Sequence, residues 1–139
     1  MERIEILYQC AYEEGIEITK SDLRHLRGLS VELEKDNYII VLNNSRYYTL
    51  AELLSAIAHE MGHCVRGALY NERTPIFTRG ACERKADEWA IINLVPYGEL
   101  MKECKGAFNR VWELAEYFNV EEDLIKKALV YYKLYKPVW

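Results

Sequence analysis

Residues 49–67 constrain the fold of this 139-residue chain more than any other stretch. Thr49 is a preferred N-cap residue, and Glu52 stands three positions later, where a capping-box partner belongs. Gly67 stands where a C-cap glycine is expected. The pattern predicts an amphipathic helix over about Leu50–Val65. Its apolar face comprises Leu50, Leu53, Leu54, Ile57, Ala58, Met61 and Val65.

This helix carries an H-E-x-x-H sequence at His59, Glu60 and His63. Residues four apart lie on one helix face, so both imidazoles can reach one metal ion. Glu60 lies on the flank of that face, where it can accept a proton from a water molecule without being a ligand. Zn²⁺ suits such a site, because it takes imidazole and carboxylate ligands. The alternative is a chance grouping of surface residues, although two of the three histidines of the chain lie here.

A second helix is predicted over about Gly80–Val95, closed by Pro96. Within it Glu83 and Asp87 are four residues apart and share a face. Glu83 is the predicted third metal ligand, and Asp87 is predicted to accept a hydrogen bond from a ligand histidine and so fix its tautomer. The alternative is an ordinary exposed acidic helix face.

The segments before the H-E-x-x-H helix predict a small antiparallel sheet. Leu29–Leu33 alternates, with its leucines and valine on one side and Ser30 and Glu32 on the other, as in a half-buried strand. A turn at 35–37 leads to Tyr38–Leu42, which is rich in β-branched residues and is typical of a well-buried strand. The two strands predict an antiparallel hairpin.

Helical spacing and turn residues complete an α+β prediction, with the sheet packed on helices. The length suits one compact domain over residues 1–139. Residues 67–79 are predicted to be a loop. The other predicted elements are a short strand at Gly15–Ile18 and helices at Glu2–Glu14, Tyr97–Glu103, Arg110–Phe118 and Glu121–Tyr135.

Composition excludes several classes of function. The net charge of −4 and the pI near 5.5 argue against direct nucleic-acid binding. No stretch reaches the 18 or so apolar residues of a transmembrane helix, and the N-terminus lacks the apolar region of a signal peptide. The four cysteines are spread without a C-x-x-C pair and suit reduced thiols. We therefore expect a cytoplasmic protein with no membrane partner.

The motifs together resemble thermolysin-like zinc peptidases and, more closely, the ImmA/IrrE metallopeptidase family. That family shows a strand ending in Leu-Asn, a helix with A-H-E-x-G-H, and then E-x-x-A-D-x-[FW]-A before a proline. The corresponding residues here are Leu42-Asn43, 58–63, and Glu83–Ala90 with Pro96, and a later family motif matches Leu114–Val120. The resemblance covers about residues 30–135.

This resemblance implies that His59, His63 and Glu83 hold Zn²⁺ and that Glu60 is the general base. It implies a zincin-like metallopeptidase core of the minimal, phage-type form. It also implies an endopeptidase whose substrate is a helix-turn-helix transcriptional repressor of a phage or mobile element. The alternative is a zinc-stabilised anti-repressor or toxin–antitoxin component that acts by protein binding alone.

The substrate backbone is expected to pair with an exposed sheet edge, which we predict to be the Tyr38–Leu42 strand. The scissile carbonyl also needs a polarising group. Tyr47, Tyr48, Tyr70 and Arg79 are candidates, although each also suits a structural or solvent-facing role. We predict that His25 is a surface histidine, that Cys64 and Cys82 point away from the metal, and that Gly62 allows a close backbone approach.

Overall fold

The computed structural model describes residues 2–46, 49–104 and 110–133. The fold is α+β, as predicted, and its sheet contains three strands. The elements are α1 (Arg3–Glu13), β1 (Ile16–Ser21), β2 (Gly28–Glu34), β3 (Asn37–Asn43), α2 (Leu50–Val65), α3 (Ile76–Leu94), α4 (Tyr97–Glu103), α5 (Val111–Phe118) and α6 (Glu122–Tyr131).

The sheet is mixed rather than wholly antiparallel, and its strand order is β1-β3-β2. β2 and β3 form the predicted antiparallel hairpin, with Val31 opposite Ile39. β1 pairs in parallel with the other side of β3. The reason lies in residues 22–27, which carry the chain across the end of β3 instead of folding it back in a hairpin.

Asn43, at the end of β3, fastens this crossing segment. Its side chain is 1% exposed, and its amide nitrogen donates to the carbonyl oxygens of Arg24 and Leu26 at 2.9 and 2.7 Å. Its Oδ1 accepts hydrogen bonds from the backbone and the hydroxyl of Ser45. Asn43 therefore satisfies every polar atom that it buries and fixes the start of β2.

The predicted substrate edge at Tyr38–Leu42 is wrong, because β3 is the central strand. Ile40 and Leu42 are both completely buried. A continuous apolar run of this kind is typical of a strand paired on both sides. The sheet edge that lies beside α2 is β2.

The alternation predicted for β2 is present, but the polar side of the strand is the one that faces α2. Gly28 and Ser30 lie against α2, where Ser30 bonds to Glu60. Leu29 and Leu33 are 41% and 61% exposed on the opposite side. Helix α2 thus meets a small and a polar residue at the sheet edge.

Helix α2 has the predicted bounds, and its caps form as expected. The Glu52 amide donates to Thr49 Oγ1 at 3.1 Å. The buried side of α2 contributes Leu54, Ile57 and Met61 to the core that the sheet and the other helices share.

Helix α3 begins at Ile76, four residues earlier than predicted. The predicted loop is correspondingly shorter. Helix α6 begins near the predicted residue and ends at Tyr131, and positions 134 and 135 of its predicted range lie outside the described residues. In the described part of the chain, no helix has the length and apolar character needed to span a membrane.

Candidate metal centre

Helix α2 presents the two histidines of the H-E-x-x-H sequence on one face, one turn apart. Gly67, with φ of +60°, turns the chain at the end of the helix. The turn lets the amide of Ala68 donate to the His63 carbonyl at 2.8 Å, as in a Schellman motif. It also brings the Ala68 carbonyl oxygen to 2.7 Å from His63 Nδ1. His63 is therefore held by the C-cap of its own helix, with Nε2 turned outward.

Helix α3 brings Glu83 to the same point. Its Oε2 lies 2.9 Å from His59 Nε2, and its Oε1 lies 3.2 Å from His63 Nε2. The two Nε2 atoms are 3.2 Å apart. One ligand atom from each of these residues lies within 4.8 Å of the other two. Two imidazoles and a carboxylate therefore converge on one point, as predicted from the sequence.

Gly62 makes this convergence possible, and the predicted close backbone approach is confirmed. A Cβ atom at Gly62 would lie 2.5 Å from the carbonyl oxygen of Ala86 and 2.8 Å from its Cα. Such distances are far inside van der Waals contact, so no side chain fits there. The backbones of α2 and α3 meet at this point, between the histidines and the two acids of α3.

Each of the three converging side chains has an outer partner. Asp87 Oδ1 accepts a hydrogen bond from His59 Nδ1 at 2.9 Å, as predicted, and the Tyr70 hydroxyl donates to Glu83 Oε1 at 2.7 Å. The second oxygen of Asp87 pairs with Lys127 Nζ at 3.1 Å. Such outer contacts fix the tautomer and orientation of metal-binding side chains. They come from α3, from the loop after α2 and from α6.

The electrostatics of the cluster favour a bound cation. Hydrogen bonds from His59 and His63 hold the pKa of the Glu83 carboxyl well below its usual range. Burial lowers the pKa of His59, but its hydrogen bonds to Asp87 and Glu83 outweigh burial and raise it to about 10. The pair of imidazoles therefore carries positive charge at neutral pH, between two carboxylates. A divalent ion can supply the same charge once the imidazoles are neutral.

Glu60 lies beside this cluster but is not one of the three converging side chains. Ser30 Oγ lies 2.5 Å from Glu60 Oε1 and 3.1 Å from the Glu60 carbonyl oxygen. Sequence reasoning assigned Ser30 no role, because the alternation placed it on the polar side of β2. The G-x-S sequence at 28–30 would have indicated a role for Ser30 only if the position of α2 beside β2 had been known.

Two cavities flank Glu60. One, of about 380 Å³, lies towards α6, and the other, of about 420 Å³, lies towards the loop that follows α2. Leu26, Gly28 and Glu60 line both of them. We refer to the two cavities together as the cleft, and Glu60 stands at the boundary that they share.

The four candidates for polarising the substrate carbonyl fall into two groups. Tyr70 and Arg79 line the cleft together with His63 and Glu83, whereas Tyr47 and Tyr48 lie outside the described residues. In the structure Arg79 Nε donates to the Thr74 carbonyl. His25 is exposed, as predicted.

The two cysteines next to the ligand positions do not join the cluster. Cys64 is 3% exposed, and burial raises the pKa of its thiol to about 11. Cys82 is partly buried, with its sulfur 4.0 Å from the Leu69 carbonyl oxygen. Among the described residues, the group of side chains that could hold a metal ion consists of His59, His63 and Glu83.

Comparison with protein families decides the relationship. Residues 11–130 match the peptidase family model described as IrrE N-terminal-like domain (Peptidase_M78). The chain belongs to the IrrE N-terminal-like family. No curated protein matches the chain. Membership confirms the resemblance read from the sequence and indicates a metal-dependent peptidase, and the match includes every residue of the cluster and Glu60.

Proposed function

We propose that this IrrE N-terminal-like protein is a zinc-dependent endopeptidase of the cytoplasm. We further propose that it cleaves a helix-turn-helix transcriptional repressor of a phage or mobile element. The observation that carries the proposal is the convergence of His59, His63 and Glu83 beside two cavities that Glu60 lines in common. Two imidazoles and one carboxylate are a typical catalytic zinc set.

His59, His63 and Glu83 are the residues that would hold the metal. When bound, Zn²⁺ supplies a Lewis acid that lowers the pKa of a water molecule to about 7. Glu60 accepts the proton of the attacking water and later delivers a proton to the leaving amine. Tyr70 and Arg79 stand on the same cleft wall, where they can orient the substrate carbonyl.

The open form of the cleft supports internal cleavage. The cavities on either side of Glu60 share Leu26 and Gly28, at and just before the start of β2. We infer that an extended chain can pass from one cavity to the other. β2 is an edge strand, and its backbone can pair with such a chain. We assign the substrate-binding edge to β2 in place of β3.

The non-catalytic alternative gives the Glu60 carboxylate no role at the metal. A zinc ion that only stabilises a fold needs no additional carboxylate beside its ligands. Here Glu60 lies outside the ligand group, yet it reaches the cleft and holds a short hydrogen bond. The placement of Glu60 therefore favours hydrolysis over displacement of the repressor by binding alone.

The test is incubation of the zinc-loaded protein with the repressor encoded beside its gene, followed by gel electrophoresis and mass spectrometry. We expect wild type to cut the repressor, and Glu60→Gln to bind zinc without cutting. Glu88→Gln is the matched control, because Glu88 lies on α3 outside the cleft and should leave cleavage unchanged. A repressor that zinc-loaded wild type leaves uncut would contradict hydrolysis.

A further inference from the structure

Two residues of β2 enclose the side chain of Glu60. Gly28 and Ser30 are two positions apart on an extended strand and therefore face the same side. Both face α2, and both lie against Glu60. One provides a hydroxyl group and the other provides space.

The hydroxyl contact is short and reaches one of the two carboxylate oxygens. Ser30 Oγ lies 2.5 Å from Glu60 Oε1, at the short end of the range for a hydroxyl donating to a carboxylate. Ser30 is only partly exposed, which limits competition from water for this bond. The contact therefore restricts the rotation of the carboxylate.

The glycine contact concerns the other oxygen. A Cβ atom at Gly28 would lie 3.3 Å from Glu60 Cγ and 3.4 Å from Glu60 Oε2. A longer side chain at this position would push the carboxylate away from the strand. Gly28 and Glu60 both line the two cavities, so their contact lies at the boundary that the two halves of the cleft share.

We propose that Ser30 and Gly28 are positioning residues for the general base, an inference that rests on the proposed function. The Ser30 hydroxyl donates to Oε1, and Gly28 leaves room beside Oε2. Oε2 is therefore the oxygen that accepts the proton of the attacking water and returns it to the leaving amine. β2 thus serves twice, as the strand that pairs with the substrate and as the support of the base.

A purely structural role for Ser30 makes a different prediction. Ser30 Oγ also lies 3.1 Å from the Glu60 carbonyl oxygen, so it could simply join β2 to α2. In that case Ser30→Ala would lower the melting temperature and leave kcat of the folded enzyme unchanged. Positioning of the base instead affects kcat, because misplacing a catalytic group by about 1 Å costs on the order of 10²-fold.

The experiment compares Ser30→Ala, Ser30→Thr and the matched control Ser21→Ala on the opposite edge strand β1. The probe is a quenched fluorescent peptide that spans the cleavage site identified in the repressor. We expect Ser30→Ala to lower kcat about tenfold or more, with KM and zinc affinity changed less than twofold. Ser30→Thr keeps the hydroxyl and should restore most of kcat, and Ser21→Ala should match wild type.

Crystal structures of metal-free wild type and Ser30→Ala test the same inference without catalysis. We expect the Glu60 carboxylate to leave its wild-type position in the variant. An unmoved carboxylate in Ser30→Ala, or wild-type kcat in that variant, would overturn the positioning role. If wild type cuts no repressor, the proposed function fails, while the carboxylate position still decides the role of Ser30.

Discussion

Helices α2 and α3 touch where Gly62 meets Ala86. A Cβ atom at Gly62 would lie 2.5 Å from the carbonyl oxygen of Ala86. The residue that follows each of these two in the chain belongs to the candidate metal centre. Gly62 precedes His63, and Ala86 precedes Asp87. The distance between the two helix backbones therefore sets the distance between the histidines and the acids.

We expect Gly62→Ala to force the two helices apart. Overpacking of this kind typically costs about 1–3 kcal/mol of unfolding free energy. It should also weaken zinc binding, because Glu83 moves with α3. Thermal unfolding and chelator competition measure the two effects. Gly98→Ala is the control: Gly98 lies in α4 with no atom within 4 Å of its added Cβ, and the change should be neutral or stabilising. Equal stability of Gly62→Ala and wild type would contradict the contact.

The orientation of His59 should depend on Asp87 and, to a smaller extent, on Lys127. Loss of an outer partner typically costs 10- to 100-fold in metal affinity, and we expect that loss for Asp87→Asn. Lys127→Met should give a smaller loss, because Lys127 contacts Asp87 rather than His59 and also pairs with Asp123. The neighbouring substitution Lys126→Met removes the same charge from α6 and should leave zinc affinity unchanged. Equal affinity in Lys127→Met and Lys126→Met would exclude the coupling.

Zinc binding should release protons. The pKa of His59 is raised to about 10 in the metal-free protein, and a ligand imidazole must be neutral. At pH 7 zinc therefore displaces about one proton from His59. The apparent affinity should rise with pH, by about tenfold per pH unit for each displaced proton, and level off near the raised pKa. Calorimetry in buffers of different protonation enthalpy counts these protons, and a count of zero would contradict the raised pKa.

Asn43→Asp should destabilise the protein without altering its shape. A carboxylate has the size of the amide but cannot donate to the carbonyl oxygens of Arg24 and Leu26. The loss of these buried bonds should cost about 1–3 kcal/mol or more. Denaturant unfolding gives the value. Asn44→Asp, at an exposed position one residue later, is the matched control and should have little effect.

Prediction from sequence succeeded where local chemistry decides the structure. Helix α2 has capping residues at both ends and a continuous apolar face, so its bounds followed from the sequence. Helix α3 lacks such signals at its start. Ile76 and Phe77 are 80% and 84% exposed. They therefore do not belong to an apolar helix face whose spacing could have predicted the first turn. The positions of His59, His63 and Glu83 could be predicted because helical spacing places them on defined helix faces.

The sheet was harder to predict because its pairing depends on distant residues. Nothing in Ile16–Ser21 specifies which side of β3 it joins. Alternation also gives two faces of a strand without stating which one is buried, and the polar face of β2 is the one against α2. Ser30 was missed for this reason. Its contact with Glu60 joins residues 30 positions apart and depends on the tertiary fold.

The two imidazoles differ in their Nδ1 partners, because one is a side chain and the other is the main chain. His63 is held by the main-chain oxygen of Ala68, and every amino acid at position 68 supplies that atom. His59 is held by the side chain of Asp87, which one mutation can replace. A substitution at position 87 therefore removes the hydrogen-bond partner of His59 Nδ1, whereas the partner of His63 Nδ1 is a main-chain atom that no substitution at position 68 removes.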